Sequence, residues 1–417
     1  MNQKPAPTEQ DSVAEPFLQE RLTSLDAYRG LVMISLAFGG FGLAATARNH
    51  LENQPDSALW AEILRQFTHI QWTGCTYWDL IQPSFMFMVG LSMAYSYAKR
   101  QKNGASYLGM LAHALFRSII LIGLGIFLIS NNDASTNWSL MNVLSQIGLG
   151  YTFVFLLWRK PKIIQWLAAI AILGTTWSLY ETHSNTGLTP NQDHSDVGVS
   201  REWADEHLSE ASPAWHKNAN FGHAVDRWLL NLPNQYLPRK QPFEFNAGGY
   251  QTINFLPSIV TMLFGLMCGE FLRSGASKKQ VIQTLLIAGA LGILWGYNLH
   301  QTGVSPLIKR LWSPSWVIFS TSCCCLLLLV SYLLFDVMKL RWLAFPLIVV
   351  GTNSIVMYLM SMLLKPWVAG AIKTHAGPDI FERFSADFQP TVQAVAVGLV
   401  FWLICFHLYR KRLFVRI

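Results

Sequence analysis

Residues 69–85 place His69, Trp72, Cys75, Thr76, Tyr77, Trp78, Asp79 and Ser84 where a polar loop runs into an apolar stretch. A histidine titrates near neutral pH, so it can take a proton from an amine or hydroxyl nucleophile. Asp79 falls about one turn inside the following helix. Pro83 falls about another turn deeper, where a proline loosens the backbone. The plainer alternative is an interfacial histidine beside an aromatic belt, with Asp79 capping the helix, and composition alone does not choose between the two.

Two further groups could carry chemistry. Asp26-Ala-Tyr-Arg29-Gly30 puts an acid and a base three positions apart at the start of a helix. They can pair with each other beside a Ser24 cap, or Arg29 can meet an anionic ligand. The other group is scattered: Asn142, Ser145 and Gln146; Gln251, Thr252 and Asn254; Lys309, Arg310, Trp312 and Ser313; Asn353 and Ser354. Amides and hydroxyls at membrane depth often only join helices, which is the default for Asn142, Gln146 and Asn353. Lys309 and Arg310 could instead hold an anionic group.

The elements that must position these residues follow from hydropathy. Hydrophobic residues make up 52% of the chain and charged residues 13%, too few charges for a soluble protein of 417 residues. The expected fold is all-α, a polytopic bundle of about ten transmembrane helices over 27–47, 77–98, 110–130, 140–158, 162–180, 252–272, 280–298, 315–335, 343–364 and 390–409. The net charge of +7 lies in short clusters between apolar runs rather than in a stripe, which argues for topology signals and against nucleic acid. Lys99, Arg100 and Lys102, then Arg159, Lys160 and Lys162, then Arg273, Lys278 and Lys279, then Lys339 and Arg341 follow alternate spans, and Arg410, Lys411, Arg412 and Arg416 follow the last. The positive-inside rule therefore predicts both termini in the cytoplasm.

The same count puts residues 48–76 and the long segment 181–251 outside. The latter holds Trp203, Trp215, Phe221, Trp228, Tyr236, Phe243 and Phe245, which predicts an ordered cap. Residues 1–20 lack an apolar signal core and read as a disordered cytoplasmic leader, with 21–417 as one transmembrane unit. Cys268, Cys323, Cys324, Cys325 and Cys405 lie inside apolar runs and read as small fillers, whereas Cys75 sits beside the chemistry. His194, His207, His216 and His223 lack metal-ligand spacing, so no metal is expected. Gly123-Leu-Gly125 follows no strand and reads as helix packing.

These residues resemble a known family. Residues 21–30, Arg-Leu-Thr-Ser-Leu-Asp-Ala-Tyr-Arg-Gly, resemble the first-helix signature of transmembrane acyltransferases. The His-x-x-Trp-x-Gly-x-Thr-x-x-Asp-Leu segment from His69 is similar to that of the heparan-alpha-glucosaminide N-acetyltransferase family. Asn142 to Gly148, Pro306 to Trp316, Asp336 and Gly351-Thr-Asn353-Ser354 fit it as well. The resemblance implies transfer of an acetyl group from cytoplasmic acetyl-CoA, a CoA thioester, to an amino sugar or other glycan across the bilayer. His69 would be the catalytic base or acyl carrier, on the non-cytoplasmic side, where the charge count also puts it. Asp26, Arg29 and Arg117 would lie where the CoA phosphates enter. Trp72 would stack on a sugar, and Lys309, Arg310 and Asn353 would complete the acceptor site. The sequence departs from the family at Phe38-Gly39-Gly40-Phe41, where no asparagine precedes Asn49. Asp79 or Thr76 would then assist His69. A homodimer is open to such a protein, and a plasma (inner) membrane location is expected. A proton-coupled transporter using His69 and Asp79 as a relay, or a scaffold without activity, are the competing readings; no internal repeat supports the first.

Overall fold

The computed structural model describes residues 22–131, 133–183, 187–232, 242–383 and 385–415. The expected leader, together with Arg21, Tyr236 and Arg416, lies outside them. The described residues fold into sixteen α-helices joined by short 3-10 turns, with no strand beyond one isolated bridge between His194 and Val199. The first three, α1 (Thr23–Ala37), α2 (Leu43–Asn53) and α3 (Ala58–Gln66), lead to a 3-10 turn at Tyr77–Leu80. Next come α4 (Ile81–Lys102), α5 (Tyr107–Ser130), α6 (Val143–Leu157) and α7 (Lys162–Glu181), followed by the short α8 (Arg201–His207) and α9 (Phe221–Leu229). The C-terminal part contains α10 (Phe255–Leu272), α11 (Lys278–Gln301), α12 (Pro314–Tyr332), α13 (Arg341–Gly351), α14 (Ser354–Leu363), α15 (Lys365–Ala376) and α16 (Gln389–Arg410).

Each of the ten predicted apolar runs is helical, but they are not ten uninterrupted spans. Six helices are long and apolar enough to cross a membrane, and up to eight if each of two bent pairs counts as one span. This is the constitution of an integral membrane protein. The run 27–47 breaks by 52° between α1 and α2, where Gly39, Gly40, Phe41 and Gly42 all take positive φ and end the helix. The run 343–364 breaks by 65° between α13 and α14, at Thr352 and Asn353. With 15 residues, α6 is too short to cross a hydrocarbon core of about 30 Å unaided.

Burial sorts the helices into layers. Helices α10 and α12 are central, while α5, α7, α11 and α16 are peripheral and expose Ile119, Ile170, Leu294 and Leu403. Helices that are apolar all round need apolar surroundings on both sides, which lipid supplies. Packing at the centre is close because small residues line the crossings. A Cβ at Gly90 of α4 would sit 1.7 Å from the Met262 carbonyl oxygen, and one at Gly265 of α10 would sit 2.0 Å from that of Phe87. Likewise Gly30 meets the backbone of Leu347, and Gly351 that of Asp26, which locks α1 against α13. The amino end of α1 is closed from far away: Asp336 accepts the Thr23 and Ser24 amides at 3.0 and 3.1 Å.

The described part of segment 181–251 packs on the end of α7. Trp215 is fully buried, stacks on Tyr180 at 4.6 Å and donates its indole N–H to Glu181. Gly265→Leu should therefore cost more than about 1–3 kcal/mol of overpacking, whereas Gly123→Leu, with open space around it, should be neutral. The check is the thermal midpoint in detergent, followed by unmasking of the buried cysteines.

Candidate functional site

The loop between α3 and α4 carries His69, and the turn that follows is built around one carboxylate. Asp79 closes a capping box with Thr76: its Oδ2 accepts the Thr76 amide at 3.2 Å and the Thr76 hydroxyl at 2.9 Å. The same oxygen takes the Ile70 amide at 3.2 Å. Oδ1 is left for two partners, His69 Nδ1 at 2.8 Å and Lys309 Nζ at 3.1 Å. Asp79 is 0% exposed and Lys309 3%, while the His69 side chain remains 42% exposed. Thr76, Asp79, His69 and Lys309 are thus one cluster. Arg310 is adjacent but differently employed.

Proton inventory fixes the histidine's roles. A carboxylate only accepts and an ammonium only donates, so the proton in the 2.8 Å contact belongs to His69 Nδ1. The 3.0 Å approach of Lys309 to the same nitrogen then reflects two donors sharing Oδ1. Nε2 is left with its lone pair. Burial lowers the His69 pKa below its usual value, opposed by the hydrogen bond to Asp79 and reinforced by the Lys309 and Arg310 cations. The ring is neutral at neutral pH, with a basic Nε2. That is the form a general base or an acyl-accepting nucleophile needs.

Lys309 is held by a knot of serines before α12. Ser313 and Ser315 both donate to the Pro306 carbonyl, at 2.6 and 2.7 Å, and Trp312 at the end of the turn is left-handed, with φ 52°. The two loops are tied together, since the Gly74 amide donates to Leu307 and Arg310 donates to Ile70 and Gly248. Arg310 spends its guanidinium on these carbonyls, which makes it a brace for the His69 loop rather than the expected anion contact. The capping of Asp79 and its partnership with His69 were alternatives in sequence; here both hold at once.

His69 and Lys309 open on a cavity of about 480 Å³. Its polar wall comes from Asn137, Ser139, Asn142 and Asn246, its apolar wall from Leu36, Ile81, Phe85, Ile129, Val143 and Met362, and Trp78, Tyr250 and Tyr358 also line it. Tyr250 is a residue that sequence reasoning missed. Its ring lies 5.5 Å from the Arg310 guanidinium carbon, and the only signal was its place after Gly248-Gly249 at the edge of an apolar run. Trp72 is 1% exposed and packed edge-on against Trp203 at 5.4 Å, beneath Gly249, so it cannot stack on a sugar here. Cys75 donates to the neighbouring Thr76 carbonyl, and burial pushes its thiol pKa up, which leaves it unreactive.

The remaining expected residues are elsewhere. Asn353 is fully buried and its amide is spent on the Leu413 carbonyl and the Val415 amide, where it anchors the segment after α16. Arg117 lies over the Tyr151 ring at 4.8 Å, between α5 and α6, apart from Asp26 and Arg29. Arg29 pairs with Asp26 at 3.6 Å and reaches Gly351 and Ser92. The elements that hold it, α1, α4 and the α13–α14 bend, are those that supply Leu36, Phe85 and Tyr358 to the cavity. On α1 and on α4 the two levels are seven positions apart, about 10 Å of helix. Arg29 therefore stands two turns below the cavity on the same seam. Among the described residues no group of three His, Cys, Asp or Glu side chains could hold a metal ion.

Removing the cation at Lys309 should raise the His69 pKa, because Asp79 then acts on the imidazole without compensation. Diethylpyrocarbonate modifies neutral histidine, so its rate against pH should shift to higher pH in Lys309→Met and to lower pH in Asp79→Asn. An unmoved profile in both would refute the electrostatic coupling.

No family model matches the sequence. Two curated proteins are similar to it, both heparan-alpha-glucosaminide N-acetyltransferases. The Homo sapiens protein is 24% identical over 455 aligned positions, covering 96% of this chain and 60% of the relative. The Mus musculus protein is 23% identical over 437, covering 95% and 60%. The chain spans about 60% of the length of these curated relatives. Similarity that runs through the first helix, the His69 loop and the late helices alike makes this chain a distant relative of the heparan-alpha-glucosaminide N-acetyltransferases.

Proposed function

We propose that the chain is a membrane-embedded acyltransferase that moves an acetyl group from acetyl-CoA to an amine or hydroxyl of a sugar. One observation carries this reading: a half-exposed imidazole, bonded through Nδ1 to a buried carboxylate that also holds a buried lysine, opens on a cavity of about 480 Å³. The relatives' name supplies the reaction class.

Two routes use the same residues. As base, His69 Nε2 takes the proton of the acceptor N–H or O–H while the acceptor bonds to the acyl carbon. The C–S bond breaks, and the imidazolium returns the proton to the departing CoA thiolate. As nucleophile, Nε2 bonds to the acyl carbon first, the C–S bond breaks and CoA leaves as thiolate. The acceptor then bonds to the acyl carbon, the Nε2–acyl bond breaks, and the proton of the acceptor N–H or O–H passes to the freed imidazole and from it to the thiolate or solvent. Asp79 holds the ring in the Nδ1–H tautomer and stabilises the positive charge that develops in either route. Arg29, two turns down the shared seam, is placed to meet a CoA phosphate while the pantetheine arm points to His69. In this reading the ten helical segments cross the bilayer with both termini in the cytoplasm, and donor and acceptor approach from opposite faces of a plasma membrane. Two broken helices beside the cavity, α1–α2 and α13–α14, are the feature a solute transporter would use instead.

The assay that separates these uses the purified chain in liposomes with labelled acetyl-CoA and a panel of amino sugars. His69→Ala should lower transfer by a factor of about 10²–10⁴, the range of general base catalysis. Arg29→Met should raise the donor KM with a smaller change in kcat. Because the active form is deprotonated and its pKa is depressed, kcat/KM should rise with pH through a midpoint below 6.5 and stay level above it. Solute uptake that needs no CoA and survives His69→Ala would sink the transferase reading.

A further inference from the structure

A second cavity lies at the far end of α4 from His69. It holds about 250 Å³ and is lined by Ala98 and Gln101 of α4, by Trp158 and Arg159 between α6 and α7, and by Glu270 and Arg273 at the end of α10. Gln82 in the His69 cavity and Ala98 here are 16 positions apart on one helix, about 24 Å, so the two cavities are distinct. The carboxylate that lines it is already used: Glu270 takes the Arg159 amide at 3.3 Å, the Gln165 amide at 3.1 Å and the Lys162 ammonium. The guanidinium groups of Arg159 and Arg273 meet no carboxylate among the described residues. The first lies 5.8 Å from the Trp158 ring centre; the second lies 5.8 Å from that of Tyr95 and donates to the Ala94 carbonyl. A basic residue just past a helix is favourable by itself, through the helix dipole. That does not require two of them to line one concavity beside an indole. Two guanidinium forks without carboxylate partners are the donor set that a phosphate takes.

The rim of the pocket indicates which phosphate. The bonds of Lys162 and Gln165 to Glu270 put the first turn of α7 beside it, and Ile163 and Trp166 of that turn are 63% and 47% exposed, as on a lipid-facing surface. A nucleotide needs more room, since sites for ligands of that size run from about 300 Å³ upward. We propose that this pocket binds the phosphodiester of an anionic phospholipid: the phosphate sits between Arg159 and Arg273, headgroup hydroxyls meet Gln101, and the acyl chains lie along Ile163 and Trp166 of α7. Basic pockets between membrane helices recognise such headgroups. A zwitterionic headgroup fits worse, because it brings its own ammonium among the cations. The inference is independent of the transferase reading.

The test is native mass spectrometry of the detergent-purified chain, offered equal amounts of dioleoyl phosphatidylglycerol and dioleoyl phosphatidylcholine. Wild type should retain the first over the second by about tenfold or more, the scale of two cation–phosphate contacts. Arg159→Gln combined with Arg273→Gln should abolish that preference. Lys278→Gln combined with Lys279→Gln removes the same charge outside the pocket and should leave it intact. Equal retention of the two lipids by wild type overturns the proposal, whatever the variants do. So does a preference that survives in the arginine variant, or one that falls as far in the lysine variant, which would make it general charge attraction. In a last arm, millimolar inorganic phosphate or CoA is added to the wild-type complex. Neither should displace phosphatidylglycerol; displacement by either would mean that a free phosphate occupies the site, and overturns the lipid as its ligand.

Discussion

A single buried ion pair organises this end of the molecule. Asp79 and Lys309 lie on segments 230 positions apart, and neither has water to turn to. Desolvating one such charge alone is prohibitive, and breaking a buried pair typically costs about 3–5 kcal/mol. The pair therefore pins the His69 loop to the loop before α12. The other ties between the two loops, from Gly74 to Leu307 and from Arg310 to Ile70, reinforce a register that the charges set. The ordered cap docks on the same unit, through Glu210 to Thr73 and through Trp203 to Trp72.

The pair also sets the chemistry. Burial lowers the His69 pKa most, the Asp79 hydrogen bond opposes it, and the nearby cations lower it further. Lys309 shares Oδ1 with His69, so Asp79 orients the ring while the lysine cation offsets part of its charge. Orientation and basicity, which usually oppose each other, are reconciled by a third group. The Arg310 cation adds to the same effect while its hydrogen bonds go to backbone carbonyls.

The bundle beneath is built for proximity. Glycines at 30, 90, 265 and 351 let backbones touch, which brings α1 onto α13 and α4 onto α10. The breaks at residues 38–42 and 352–353 bend the chain by 52° and 65°, and α1 and α14 beside them supply Leu36, Tyr358 and Met362 to the cavity. The glycine run noted in the sequence as a departure from the family thus acts as a helix stop. It supplies no side chain to His69, whose ring nitrogen is held by Asp79 beside Lys309.

Much of this was legible in the sequence. Hydropathy located ten apolar runs that are all helical, because twenty apolar residues have few alternatives to a helix in lipid, while α3, α8, α9 and α15 lie outside them. The density of polar groups at 69–85 marked His69, Thr76 and Asp79, and local spacing puts Thr76 and Asp79 on one turn. Lys309 was visible only as half of a basic pair, and the sequence offered it and Arg310 equally. The tertiary structure separated them by burying one against Asp79 and tying the other to carbonyls. It also withdrew Trp72 into the cap and gave Asn353 to the C-terminal segment, because burial and partner choice depend on which distant surfaces meet. Periodicity and composition act along the chain and were readable there. The pairing of charges across 230 residues, the lone pair it leaves on His69 and the cavity onto which both open exist only once the helices have packed.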